Sequence, residues 1–209
     1  MHWSDVLTRM SACNDAVEWA RTQPSYAVAW RRCQRPDWLL WLAGRCSHTL
    51  TQRRAIVLAA CDCAETALRF VPAGEVRPAE AIRVARAWCR GRTTLEAVRV
   101  AASAAYAYAA YDAAYAAAAA YAAYAAAYAA YDAYDAAYAD AADAAAYAAY
   151  AAAVAAAAYA AAAAAAPNAD ATTRATTREA ASKCCGLIHA RIPRPTLPKE
   201  ATRCTGAMY

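Results

Sequence analysis

Three histidines, nine cysteines and a scatter of carboxylates are the groups through which this chain could do chemistry. A structural zinc site needs four converging ligands. His2, His48 and His189 are far apart in the chain, no HExxH run exists, and no His/Cys set has ligand spacing. Cys61-Asp62-Cys63 is a CxC on a predicted helix. Residues i and i+2 of a helix point about 200° apart, so the two thiols cannot grip one ion, and Cys63 reads as a small core residue. Cys184-Cys185 fails by the same geometry. Ser47-His48 lacks both the nucleophile elbow and an acid partner. The five glycines (44, 74, 91, 186 and 206) cannot form a phosphate-cradling loop. Asp62 and Glu65 lie near basic residues at helical spacing, where surface pairing is the simplest account. No metal, no cofactor and no catalytic residue is expected, and the chain is not expected to be an enzyme.

The elements that carry these groups are predicted to be helices. Residues 4–22 read as helical with a break or cap at Ser11, and Val17 and Trp19 as core members. Ser25 caps a short helix through Cys33, with Tyr26, Ala29, Trp30 and Cys33 at helical spacing. Asp37 is expected to cap the run Trp38 to Ala43, which is apolar all round, hence buried on most sides, and stops at Gly44. A longer helix is expected from Thr51 to Phe70, with Ile56, Ala60, Cys63 and Ala67 on one face. Pro78 suits the first position of a helix over Ala79–Arg90, with Ile82, Ala85, Trp88 and Cys89 inward. Arg83, Arg86 and Arg90 share the opposite side, read as a solvated row or as a contact for an acidic partner. Gly91 suits the helix end.

From Thr93 to Ala166 the chain is almost wholly alanine and tyrosine, and from Ala101 on its only charges are Asp112, Asp132, Asp135, Asp140 and Asp143. Alanine is the best helix former and tyrosine costs less than about 1 kcal/mol relative to it. Thr93 with Glu96 fits a capping box, and Pro167, Asn168 and Asp170 form the stop signal. One unbroken helix would be roughly 110 Å long at ~1.5 Å per residue. A fold-back hairpin is the alternative, with Asp140 or Asp143 capping its second arm. Tyr121, Tyr124, Tyr128, Tyr131, Tyr134 and Tyr138 follow steps of 3, 4, 3, 3 and 4, a left-handed stripe over part of the tract. Tyr124, Tyr128, Tyr131 and Tyr138 are the candidate partner-binding residues, through which the chain could also self-associate. The same stripe could instead cover the N-terminal helices, or reflect repeat expansion with little selected detail. Residues 144–166 are uncharged, but alanine is only weakly apolar, so no membrane span is expected there.

All six tryptophans and the single phenylalanine precede residue 100, which places a Trp-rich core in the first half. Residues 1–100 carry 15 basic and 9 acidic side chains and the tail from Pro167 carries 7 and 3, so an acidic rod would lie between basic segments. That excess is too scattered to indicate nucleic-acid binding. An odd cysteine count with no export signal points to reduced thiols and a cytoplasmic protein. After Pro167 a helix is predicted over Ala171–His189, weakened by Gly186, and nothing beyond Pro193 is expected to pack. The reading is thus all-α: an N-terminal multi-helix domain (1–92), a very long Ala/Tyr-rich helix or helical hairpin (93–166), and a C-terminal helix with a Pro-rich basic tail (167–209).

The segments DAVEWA (15–20), DWLLWLAGR (37–45), LAACDCAETAL (58–68), RPAEAIRVARAWCRG (77–91), the Ala/Tyr repeat and KCCGLIHARIPRP (183–195) occur in this order. Together they resemble the immunity proteins of bacterial polymorphic-toxin systems, specifically the immunity protein 5 family. The resemblance implies a cytosolic, non-enzymatic binder that neutralises a cognate protein toxin by occupying its active site or locking its fold. It supplies no catalytic residue. Asp37, Trp38, Trp41, Cys61 and Cys63 lie in the recurring segments, and burial explains each. Inhibitors of basic nucleases are expected to be acidic, so a nuclease target would need the acidic tract as the contacting surface.

Overall fold

The computed structural model describes residues 2–111 and 169–198. Within them the chain forms eight α-helices and one short 3₁₀ turn, with no strand: α1 Asp5–Arg9, α2 Asn14–Arg21, α3 Tyr26–Arg32, α4 Pro36–Arg45, α5 Leu50–Glu65, the 3₁₀ turn Leu68–Phe70, α6 Arg77–Cys89, α7 Leu95–Tyr111 and α8 Ala169–Arg191. The all-α expectation holds for these residues. Residues 112–168, and with them Tyr124, Tyr128, Tyr131, Tyr138, the acidic stretch and the segment 144–166, lie outside the described part.

Local chemistry sets most boundaries. Ser11 adopts a left-handed backbone (φ 64°) and separates α1 from α2, where the break was expected. The Ser25 hydroxyl accepts the Val28 N–H at 3.3 Å and starts α3. α5 begins with a reciprocal capping box that the sequence reading missed: Thr49 Oγ1 accepts the Gln52 N–H at 3.2 Å, while the Gln52 side chain accepts the Thr49 N–H at 3.1 Å. α6 ends at Gly91 (φ 69°), whose N–H donates to Trp88 O at 2.8 Å, while Arg92 N–H donates to Ala87 O at 2.9 Å. Only a residue without Cβ takes that left-handed turn freely.

Three expected caps are corrected. Asp37 does not cap α4: Pro36 already occupies its first turn, and the Asp37 carboxylate is held by Arg35 at 2.6 Å. Gly44 lies inside that helix, which runs on to Arg45. α7 is capped by Thr94, which accepts the Ala97 N–H at 3.2 Å, and not by Thr93. Glu96 accordingly pairs with Arg99 instead of closing a box. Two adjacent threonines compete for one cap, and the one that aligns Val98, Ala101, Ala102 and Ala105 with the core wins.

α5 is the central element and touches α4, α6 and α8. Its buried set, Ile56, Val57, Ala59, Ala60, Cys61, Cys63 and Ala64, covers a little over half of the circumference, wider than the single face expected. Small side chains let three neighbours approach closely at once. Ile82, Ala85, Trp88 and Cys89 of α6 are buried as expected. α8 adds Cys184, Cys185 and Ile188 to the same core cluster that begins at Leu7.

The core is not Trp-rich. Trp30 and Trp88 are buried, but Trp3, Trp19, Trp38 and Trp41 are half-buried and pack on the core from outside. The interior is mainly alanine and cysteine, with leucine, isoleucine and valine filling the space around the two buried indoles. The tail is also not free beyond Pro193. Ile192 is buried, and the Tyr26 hydroxyl donates to Pro195 O at 2.7 Å. Leu197 packs against the core.

Candidate functional site

The half-buried aromatics converge. α1 and the residues before it bring Leu7 and Trp3, α2 brings Trp19 and Ala20, α3 brings Tyr26, and α4 brings Trp38 and Trp41 around a cleft with a free volume of about 50 Å³. Trp19 and Trp38 sit with ring centroids 5.9 Å apart at 54°, and Trp3 and Tyr26 5.6 Å apart at 40°. Both are tilted contacts of the kind the ring quadrupole favours. Each helix is short and ends in a turn, so a large ring near its end reaches the same side as its neighbours.

Three arginines lie over these rings. Arg35 Cζ is 4.5 Å from the Trp38 centroid, Arg45 Cζ is 5.6 Å from that of Trp41, and Arg194 Cζ is 5.5 Å from that of Tyr26. Arg45 also donates to Met10 O at 3.1 Å, tying α4 to the end of α1. Two N–H donors at this site, Trp3 Nε1 and Arg45 Nε, are closed off from solvent without an acceptor. Burial pushes the Tyr26 hydroxyl well above the usual tyrosine range, so it stays a proton donor to Pro195.

The other chemical candidates settle into structural places. Cys61 and Cys63 leave α5 in opposite directions, as the helical geometry requires. Cys61 faces α6 near Cys89 and Arg86, while the Cys63 thiol lies 3.9 Å from Cys184 O on α8. The hydrogen bond with Cys184, together with burial, keeps Cys63 protonated. Burial likewise pushes Cys33 and Cys46 up to about 11, and Cys89 and Cys185 up to about 12. Among the described residues no three His, Cys, Asp or Glu side chains converge as metal ligands would. Ser47 Oγ donates to Gly44 O at 3.0 Å, so its proton serves the backbone. His189 Nε2 lies 2.9 Å from Trp30 O and joins α8 to α3.

The arginine row of α6 divides. Arg83 pairs with Glu80 on its own helix, and Arg90 is exposed. Arg86 crosses to α5, meeting Asp62 at 2.8 Å and Glu65 at 2.7 Å. Asp62 also accepts Arg191 Nε of α8 at 2.5 Å. The pairing of Asp62 and Glu65 is therefore between helices and not along one. No described helix is long and apolar enough to cross a membrane.

The sequence reading placed its partner contacts on the tyrosine stripe and missed this cleft. Trp38 and Trp41 had been accounted for by burial, and half-burial is the finding that separates them from Trp30 and Trp88. The available signal was tryptophan near the ends of consecutive short helices. No known protein family, curated protein or solved structure matches the chain.

Proposed function

We propose that this chain is a non-catalytic binding protein that neutralises a cognate protein toxin, the role implied by the resemblance to the immunity protein 5 family. The observation that supports this most is the aromatic cleft: four half-buried tryptophans, a tyrosine and stacked arginines gathered on one side of an all-helical body. Trp, Tyr and Arg are the residues that dominate binding energy at protein interfaces, and they do so from well-packed central positions surrounded by contacts that exclude water. Here the rings are already held by neighbours, so little side-chain freedom remains to be lost on association.

The test is capture by the tagged full-length protein, followed by Trp19→Ala with Trp38→Ala. One stoichiometric protein that survives high salt and is lost with the double variant, at unchanged helicity, is the expected result. A partner that ignores the tryptophan changes removes the cleft from the contact. Recovery of only further copies of the chain moves the reading to self-association. That second reading has an observation of its own: Val100 and Tyr106 on α7 are 57% and 47% exposed, just before the tyrosine tract begins. It requires that replacing Tyr124, Tyr128, Tyr131 and Tyr138 by alanine lower the sedimentation coefficient to that of a monomer.

A further inference from the structure

Eight of the nine cysteines lie among the described residues, all as free thiols, and all but Cys13 are buried in the helical body. A buried thiol packs as a small apolar group, so its neighbours decide whether it does more. Cys63 and Cys184 face one another. Both are fully buried where α5 meets α8, their thiols are hydrogen-bonded, and Cys63 Sγ lies 3.9 Å from the Cys184 carbonyl oxygen. We infer that Cys63 and Cys184 form a disulfide site, closed by reaction with a peroxide, that locks α8 onto α5. Packing permits the bond. A disulfide brings its sulfurs to about 2.0 Å, so the two helices must draw slightly together. Ala59 and Ala60, a turn before Cys63, and Ala67, a turn after it, are fully buried and carry only methyl groups. The α5 side of the contact is therefore built of small side chains that let the backbones close.

The chemistry sets this pair apart. Burial pushes Cys33 and Cys46 up to about 11, Cys89 and Cys185 up to about 12, and Cys61 well above the usual thiol range. Cys184 is the one buried thiol among the described residues that is held below its ordinary value. The hydrogen bond from the Cys63 thiol is the main cause, and the charge of Lys183 adds to it. The thiolate is the nucleophile, so Cys184 reacts first and Cys63 resolves. The Cys184 sulfur attacks one peroxide oxygen, the O–O bond breaks, and the departing hydroxide takes up a proton as water. Cys184 is then a sulfenic acid, which condenses with a thiol. The Cys63 sulfur displaces its hydroxyl, the S–S bond forms, and a second water leaves with the Cys63 proton. Two thiols have lost two electrons and two protons, and one hydrogen peroxide has become two waters. Hydrogen peroxide is little larger than water, so it needs a smaller opening to reach Cys184 than a bulky thiol reagent does.

The experiment treats the reduced full-length protein with stoichiometric hydrogen peroxide, alkylates the remaining thiols in denaturant, and weighs the product. The monomer should lose two hydrogens and two alkylation sites, and dithiothreitol should restore both. Cys63→Ala and Cys184→Ala should each abolish this intramolecular link, while Cys61→Ala and Cys185→Ala should leave it. The link closes 121 residues of chain into a loop, so the urea midpoint of the oxidised protein should lie above that of the reduced one. Cys63→Ala should show no such gain. Where a variant loses helicity, cleavage of the native protein before Asp62, which parts Cys61 from Cys63, with fragmentation between Cys184 and Cys185, assigns the link directly. Three results overturn the inference: a link that survives in Cys63→Ala or Cys184→Ala, oxidation of Cys13 while Cys63 and Cys184 stay thiols, or a urea midpoint that does not rise on oxidation.

Discussion

Asp62 holds three helices together through one carboxylate. Its side chain is 12% exposed and accepts Arg86 from α6 and Arg191 from α8. Asp62→Ala leaves two guanidinium groups without their shared acceptor, and we expect a loss of about 1–3 kcal/mol in urea unfolding. Asp62→Asn, which keeps an acceptor oxygen, should lose less. The glutamates give a pH dependence with a fixed sign. Arg86 holds the Glu65 carboxyl below its ordinary value of 4.5, and Arg77, Arg83 and Arg99 do the same for Glu75, Glu80 and Glu96. Depressed folded values add stability above the unfolded value, and that contribution disappears as pH falls through the folded ones. Urea midpoints should therefore be flat from neutrality to about pH 5 and decline below about pH 4.5. These pairs are largely exposed, so added salt should blunt the decline. Among the described thiols only Cys13 is exposed. With Cys204→Ser, one cysteine should react rapidly with a thiol reagent and the rest only on unfolding. The sequence identified Asp62 as one half of an ion pair but not its partners, because Arg86 and Arg191 lie 24 and 129 residues away.

Helices were legible where their ends carry local chemistry. Ser25, Pro78 and Gly91 each impose a conformation on their immediate neighbours, and each was read correctly from the chain. The Thr49–Gln52 box is of the same kind, and Thr49→Ala should cost about 1 kcal/mol in thermal or chemical unfolding. Thr93 against Thr94 was not decidable locally, since both can cap and only tertiary packing separates them. The C-terminal tail was illegible for a different reason. Its anchor is a backbone carbonyl, that of Pro195, and a carbonyl has no signature in sequence. Tyr26→Phe removes that donor while keeping the ring, with an expected cost of about 1 kcal/mol. The more specific readout is proteolysis: tryptic cleavage after Arg191 should speed up, the Arg194–Pro195 bond being resistant, while the melting of α5 changes little. The cleft was half legible. Its rings could be counted in the sequence, but whether a ring points inward or lies on the rim depends on how closely the helices approach.

For the molecule as a whole, α8 closes the core. Cys184 and Ile188 are fully buried, and α8 lies on both α4 and α5. Ile188→Ala should therefore cost 2–5 kcal/mol, the usual range for deleting a buried aliphatic side chain, as read from denaturant midpoints. A chain stopped at residue 166 lacks α8 and should lose cooperative unfolding, because α5 would then expose the face that holds Cys63. The distribution of tryptophans placed the core in the first half of the chain. That half supplies most of it, but the seal comes from the far side of the Ala/Tyr tract.

That closure has a consequence for how the protein is made. The ribosome delivers Cys63 of α5 long before Cys184 of α8, which it meets in the finished fold 121 residues later. At about 5–20 residues per second, the interval is roughly 6–24 s. Through that interval the nascent chain presents an unsealed apolar seam and then an alanine-rich stretch. Lengthening the Ala/Tyr tract should extend the wait by the time its added residues take to synthesise.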